Sequence, residues 1–298
     1  MIPLIKPMEP ILTNQLIHKK SLLYQVKWDG IRILTNYDSQ KTQLYTRKKN
    51  ERTVTYPEIT KELSKMLKEH SVILDGEMIA IDQGKSCFFE ILKRDRLKNP
   101  QKILQAQSKI PVYYMIFDII YFNGKWLTDQ PLTERLDLLN NLIQETSHVQ
   151  VCPSYDDGST LWKVTEEKGW EGIVIKEREG TYHLGQKHTT WLKLKHIQKI
   201  HATVIGVTFE QSRSMVNSLI LGIFKNGEWI YIGKASTGLS IEQKQLFTRL
   251  AQETAQEKGV IPQLRLREPV AWIIPEITVQ VQFLEWTPDG TLRSPVIK

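Results

Sequence analysis

Lys27, Asp29 and Arg32 fall within one nine-residue stretch, YQVKWDGIR over residues 24–32. An amine, a carboxylate and a guanidinium then lie within about 15 Å of extended chain. A lysine amine whose surroundings keep it partly deprotonated is a covalent nucleophile. Asp29-Gly30 also reads as a tight turn joining strands over 22–26 and 31–37, which sets Lys27 at a strand end beside the turn. Taken alone, the stretch reads more simply as a hairpin whose Lys27 and Arg32 are solvated.

Other charges recur at the ends of apolar runs: Arg47, Asp75 with Glu77, Asp118, Glu171 with Lys176, and Lys193 with Lys195. A charge inside an apolar strand is costly unless it is paired, metal-bound or turned to a cleft. Any one of these residues fits a solvated strand end, but the whole set fits a shared cleft. Lys193 and Lys195 alternate with Leu192 and Leu194, so both amines share one face. Two adjacent amines repel unless an anion lies between them, and a phosphate serves.

The elements that must hold these residues follow from periodicity. Residues 1–20 read as an irregular lead-in, followed by strands near 22–28, 31–37 and 42–46. Tyr56-Pro57 opens a helix with Ile59, Leu63, Met66 and Leu67 at helical spacing. SVILDGEMIAI (71–81) and VYYMIFDIIYF (112–122) are long apolar strands, the second predicted to be buried on both faces. Short helices are expected over 88–92, 132–143 and 160–168, the last ended by Gly169, and strands over 172–176 and 190–195. Beyond about residue 201 the pattern shifts to strands at 201–209, 218–225, 228–235, 277–286 and 291–297, with a helix near 240–250. Five short strands with one helix suit an OB-type barrel. The expected organisation is α+β, an antiparallel-sheet domain over 1–196 followed by an OB-fold domain over 197–298.

Composition sets bounds rather than function. At 298 residues, with 41% hydrophobic and 24% charged residues, the chain is long enough for one large or two ordinary globular domains. No apolar run approaches a membrane span, and the first residues lack the apolar core of a signal peptide, so no membrane association and a cytoplasmic location are expected. Two cysteines, Cys87 and Cys152, make neither a disulfide framework nor a zinc site. The net charge of +7 permits a nucleic-acid partner. The residues from 197 onward carry 11 Lys/Arg against 9 Asp/Glu, and those before it 29 against 24, so the excess is spread over both domains. GEWIYIGK (227–234) is not a P-loop, because its glycines are spaced wrongly within a strand. Trp170, Trp191, Trp229, Trp272 and Trp286 could stack on bases, but packing is the commoner use of tryptophan.

The order KWDGIR, TRKKNE, DGE, FDIIYFNG, EGIVIK, WLKLK and finally DGTLRSP resembles the covalent nucleotidyltransferase superfamily. Within it, the chain is most similar to ATP-dependent DNA ligases of the compact bacterial type, represented by the ligase domains of end-joining ligases. The resemblance runs from about residue 4 to the last few residues. It implies that Lys27 attacks ATP and carries covalent AMP, that the adenylate passes to a 5′-phosphate at a DNA nick, and that the 3′-hydroxyl displaces AMP. It assigns Arg32 to the ribose and adenylate, Arg47 to the nick phosphate, Glu77 to the ribose hydroxyls and Phe117 to the adenine face. Gln25 lies where relatives address the adenine amino group, and Val26 and Lys176 fall on the same nucleotide-binding motifs. Lys193 and Lys195 match the pair on the α-phosphate, and Asp289 and Arg293 match residues that assist pyrophosphate loss. Asp29, Glu77 and Glu171 become the candidate ligands for Mg²⁺ or Mn²⁺. The implied partner is nicked double-stranded DNA, with an end-joining factor such as Ku as a recruiter and a monomeric enzyme. Residues 211–217 are the candidate DNA clamp. The competing readings are an RNA ligase, an RNA-capping guanylyltransferase, or a non-catalytic nucleic-acid-binding relative.

Overall fold

The computed structural model describes residues 3–210 and 215–298. The chain divides into two compact units, Met1–Lys195 and His196–Lys298. In chain order the first contains β1 (Glu9–Leu12), β2 (Leu22–Val26), β3 (Ile31–Asp38), β4 (Thr42–Thr46), α1 (Pro57–Leu67), β5 (Ser71–Asp82) and β6 (Lys85–Ser86). It continues with α2 (Phe88–Asp95), α3 (Pro100–Lys109), β7 (Val112–Phe122), β8 (Lys125–Trp126), α4 (Leu132–Leu142), β9 (Val149–Val151), α5 (Gly158–Glu167), β10 (Gly172–Glu177) and β11 (Lys187–Lys195).

These strands make two sheets. One is ordered β1-β11-β10-β2, the other β4-β3-β5-β7-β8, with β6 on β5 and β9 on β7. Pairing is antiparallel except at β1–β11 and β7–β9, which are parallel. The long apolar strands are buried on both faces for a reason that period two makes visible. Val72, Leu74, Met78 and Ala80 of β5 pack with Ile59 and Leu63 of α1 and with Leu132 and Leu139 of α4. The alternate residue Ile73 packs with Leu34, Ile120 and Trp191 on the other face. Asp75 and Glu77 belong to that second face, so the charges interrupting the run point away from the main core.

The Asp29-Gly30 hairpin expected from sequence does not form. β2 pairs with β10, whereas β3 pairs with β4 and β5, so the dipeptide carries the chain from one sheet to the other. Glycine is needed there for close approach: a Cβ on Gly30 would meet the Met78 carbonyl oxygen at 2.2 Å. The lead-in is not irregular throughout, because Glu9–Leu12 forms the edge strand β1. Two further elements differ from expectation. Asn99 caps α3 through Gln101 and Lys102 N–H, with Pro100 at its first turn. Asp157 likewise caps α5, which begins at Gly158 rather than residue 160.

The second unit contains β12 (Gln198–Phe209), β13 (Val216–Lys225), β14 (Glu228–Ala235), α6 (Ile241–Glu253), β15 (Ala271–Trp272), β16 (Thr278–Phe283) and β17 (Val296–Ile297). The strand order is β14-β13-β12-β16-β17, with β15 on β12. Ile297 N–H donates to the Thr237 carbonyl at 2.9 Å, just beyond β14, so the two ends of that order meet and the sheet closes on itself. Phe247 and Ala251 of α6 pack with Val204, Leu221 and Phe283. Asn226 and Gly227, both at positive φ, make the β13–β14 hairpin turn. The expected strand over 291–297 shrinks to two residues, because Leu292 and Arg293 N–H instead bond Ile232 and Glu285 carbonyls. Residues 211–214 of the candidate clamp lie outside the described residues.

Candidate active site

The two sheets of the first unit face each other across a cavity of about 500 Å³. Gln25, Val26, Lys27, Arg32, Arg47, Glu77, Phe117, Lys176, Lys193 and Lys195 all line it. One wall carries Lys27 at the end of β2, Lys176 on β10 and both Lys193 and Lys195 on β11. The other carries Arg32 on β3, Glu77 beside it on β5, and Phe117 on β7.

Glu171 precedes β10 and holds two amines, with Lys27 Nζ 2.6 Å from Oε2 and Lys195 Nζ 2.7 Å from Oε1. Burial alone would raise the Glu171 carboxyl, but Lys27 and Lys195 outweigh it and hold the group below its usual value. Lys193 is pushed below the ordinary lysine value by burial, with Lys195 and Lys27 adding repulsion. Two amines thus share one carboxylate with a third amine beside them, so positive charge is in excess on this wall of the cavity.

On the opposite wall Arg32 is tied to Asp75, Nε to Oδ1 at 2.8 Å and Nη2 to Oδ2 at 2.5 Å. Its guanidinium lies 5.3 Å from the Phe117 ring centroid and 5.8 Å from that of Trp191. Lys176 Nζ approaches the same two rings at 4.7 and 4.1 Å and donates to the Phe117 carbonyl at 3.2 Å. Burial pulls Lys176 down to about 8. Gln25 is 1% exposed and spends its amide N–H groups on the Cys152 carbonyl and Ser154 Oγ. Its carbonyl oxygen is therefore the end suited to accept from a base.

Glu77 is pushed up to about 8, mainly by burial, with Glu171 and Asp29 adding repulsion against the pull of Lys27 and Arg32. The expected set of Asp29, Glu77 and Glu171 does not gather: among the described residues no three His, Cys, Asp or Glu groups are placed to hold a metal. Both Glu171 oxygens face amines, and Asp29 lies in the crossover, where its N–H donates to Ser86 Oγ. A magnesium-like ion usually takes only one or two carboxylates and completes its shell with substrate phosphates and water. Glu77 and Glu171 fit that smaller role, because a cation beside them would favour the ionised form of Glu77 against the burial that keeps it neutral.

Four residues of this region escaped the reading of the sequence or were assigned elsewhere. Trp191, counted as packing, is 2% exposed yet lines the cavity. Glu9 lines it too and pairs with Arg47 Nη1 at 2.9 Å. Asp75 shows in the sequence only as a charge in an apolar run, and Tyr182 carries no local signal. In the second unit, Arg293 pairs with Glu285 at 2.6 Å and Asp289 lies in the turn closed by Thr287 and Thr291.

The family model described as ATP dependent DNA ligase domain matches residues 4–195, and that described as ATP dependent DNA ligase C terminal region matches residues 212–298. The chain therefore belongs to the ATP-dependent DNA ligase family. It is 29% identical over 279 residues to the multifunctional non-homologous end joining DNA repair protein LigD of Mycobacterium tuberculosis, covering 91% of this chain and 35% of that protein. It is 24% identical over 300 residues to a DNA ligase of Thermococcus fumicolans, covering 94% and 52%. The chain thus spans about a third of the length of the first relative and half that of the second. The crystal structure of the ligase domain from M. tuberculosis LigD is similar at a TM-score of 0.57 and 26% identity, covering 99% of this chain and 94% of that one. Ligase catalytic cores of this kind pair a nucleotidyltransferase domain with an OB-fold domain, which is the architecture seen here. Family membership implies ATP and a divalent metal. No helix among the described residues is long and apolar enough to cross a membrane.

Proposed function

We propose that the protein seals nicks in duplex DNA that carry a 3′-hydroxyl and a 5′-phosphate, consuming ATP to AMP and pyrophosphate. The observation that carries this reading is Lys27 Nζ, held by Glu171 in a cavity lined by Arg32, Arg47, Lys193 and Lys195. Lys27 Nζ attacks the α-phosphorus as the neutral amine, its ammonium proton having passed to solvent; the P–N bond forms, the bond to pyrophosphate breaks, and the nitrogen sheds its surplus proton. Glu171 orients the attacking amine, while Lys193 and Lys195 neutralise the charge gathering on the phosphoryl oxygens. Arg32 and Glu77 hold the ribose, Phe117 takes the adenine face, and Gln25 with Val26 reads its edge. Arg47 takes the nick phosphate in the second step. Asp289 and Arg293 of the second unit are assigned to the departing pyrophosphate. Glu77 and Glu171 would hold Mg²⁺ or Mn²⁺, which supplies charge neutralisation at the phosphates. Similarity to an end-joining protein supports a role in the repair of DNA breaks, and we read the enzyme as a cytoplasmic monomer recruited by a factor such as Ku.

The test is incubation with α-labelled ATP or GTP and a divalent ion, followed by a chase with nicked DNA. Label on the wild type from ATP alone, absent in Lys27→Ala and discharged by the nick with sealing, is the expected result. Label from GTP, or discharge by nicked RNA alone, would overturn it.

A further inference from the structure

Tyr182 lies between β10 and β11, is 3% exposed, and contributes no atom to the reaction proposed above. Its hydroxyl is nonetheless fully engaged. It donates to Asp75 Oδ2 at 2.6 Å and accepts from Met8 N–H at 3.0 Å and from Arg32 Nη2 at 3.3 Å. One donor and two acceptor positions are all that a phenol offers. The partners come from both walls of the cavity. Met8 leads into β1 and Tyr182 follows β10, on the lysine wall, whereas Arg32 and Asp75 belong to β3 and β5, on the opposite wall. The ring is fixed as well, edge-on to Trp191 at 5.6 Å and beneath the Arg135 guanidinium at 5.8 Å.

We infer that Tyr182 is a positioning residue: its hydroxyl pins the Asp75–Arg32 pair to the lysine wall and so fixes where Arg32 meets the nucleotide. Nε and Nη2 of Arg32 are spent on Asp75 and Tyr182, which leaves Nη1 as the edge to address an acceptor oxygen of the ligand. Without the phenol, Asp75 loses its neutral donor and Arg32 is steered by the carboxylate alone. The Tyr182 hydroxyl itself is held well above the ordinary phenol value, by burial first and by Asp75 next, so it remains a donor throughout the working pH range. A hydrogen bond inside such a network also orients its neighbours, so its loss is felt at the group it steers.

The inference rests on the nucleotidyl-transfer reading and is tested with the full chain. Binding of α,β-methylene ATP is measured by calorimetry, and Lys27 labelling by α-labelled ATP, in wild type, Tyr182→Phe, Arg32→Ala and the double variant. Tyr182→Phe is expected to weaken analogue binding and raise the half-saturating ATP concentration about tenfold, with the limiting labelling rate within about threefold. In the Arg32→Ala background the same change should cost less than about twofold, because the two residues act as one unit. Asp75→Asn serves as a second variant and should weaken binding in the same direction. A lowered melting temperature with unchanged nucleotide affinity, or full additivity with Arg32→Ala, would overturn the inference. A wild type that neither binds the analogue nor takes label would overturn the nucleotidyl-transfer reading instead.

Discussion

Glu171 with its two lysines and Asp118 with Arg135 are both acid–base groupings beside or within the sheets of the first unit, and they end in opposite states. Asp118 and Arg135 are fully buried and matched one to one. Arg135 Nε and Nη2 meet the two carboxylate oxygens at 2.7 and 2.9 Å, and Nη1 donates to the Gln130 and Gly180 carbonyls. Ile119 N–H also donates to Asp118. Glu171 is 8% exposed between Lys27 and Lys195, each 20% exposed, and Lys193 adds a third amine close to those two. A balanced, saturated pair braces a fold; an unbalanced one at a cavity wall waits for an anion.

The sharpest break between the two is Lys27→Ala. Transfer of label from ATP should fall on the order of 10⁴-fold with melting unchanged, as for loss of a nucleophile acting within a unit; retained labelling would end the distinction. Asp118→Ala should do the reverse, costing about 3–5 kcal/mol in denaturant unfolding by stranding Arg135 in the interior. Glu171→Gln keeps the shape but leaves two amines facing each other, and the single-turnover labelling rate should drop about 10²-fold. Glu77 offers a test by pH. Its folded pKa of about 8 lies above the unfolded value, so the stability it contributes is complete below about pH 4.5 and is lost as pH rises toward 8. The ligand-free Glu77→Gln variant should therefore melt with the wild type near pH 4 and above it near pH 8.5. A constant gap would mean that Glu77 is not held neutral by burial. The smallest effect belongs to the exposed Arg47–Glu9 pair: Glu9→Ala should change stability by less than about 1 kcal/mol, read by thermal melting.

Much of this was legible in the chain. β5 and β7 announce themselves because both faces are buried, and Glu77 inside the first run marks the face turned to the cavity. β1 was not legible: four residues containing Pro10 pair in parallel with a strand far along the chain, and no local period records that. β9 is hidden for the same reason. Gly30 misled because Asp-Gly ordinarily signals a turn, whereas here glycine answers to the Met78 carbonyl of another strand. α3 carried its capping signal at Asn99-Pro100, but only Ile103 and Ala106 are buried, too few to show a helical stripe. Among the site residues, the lysines and Glu77 were visible as charges within apolar segments. Tyr182 and Glu9 were not, since an isolated tyrosine or glutamate acquires its place only from tertiary contacts.

The crossover at residues 27–30 has a mechanical consequence. Four residues join the last residue of β2 to the first of β3, a leash that spans at most about 17 Å when fully stretched. The attacking amine and Arg32 are thus moored to facing walls by the same short cord. An insertion in this segment would slacken the mooring, and a deletion would draw the walls together, so cleft width and nucleophile placement are inherited as one property rather than two.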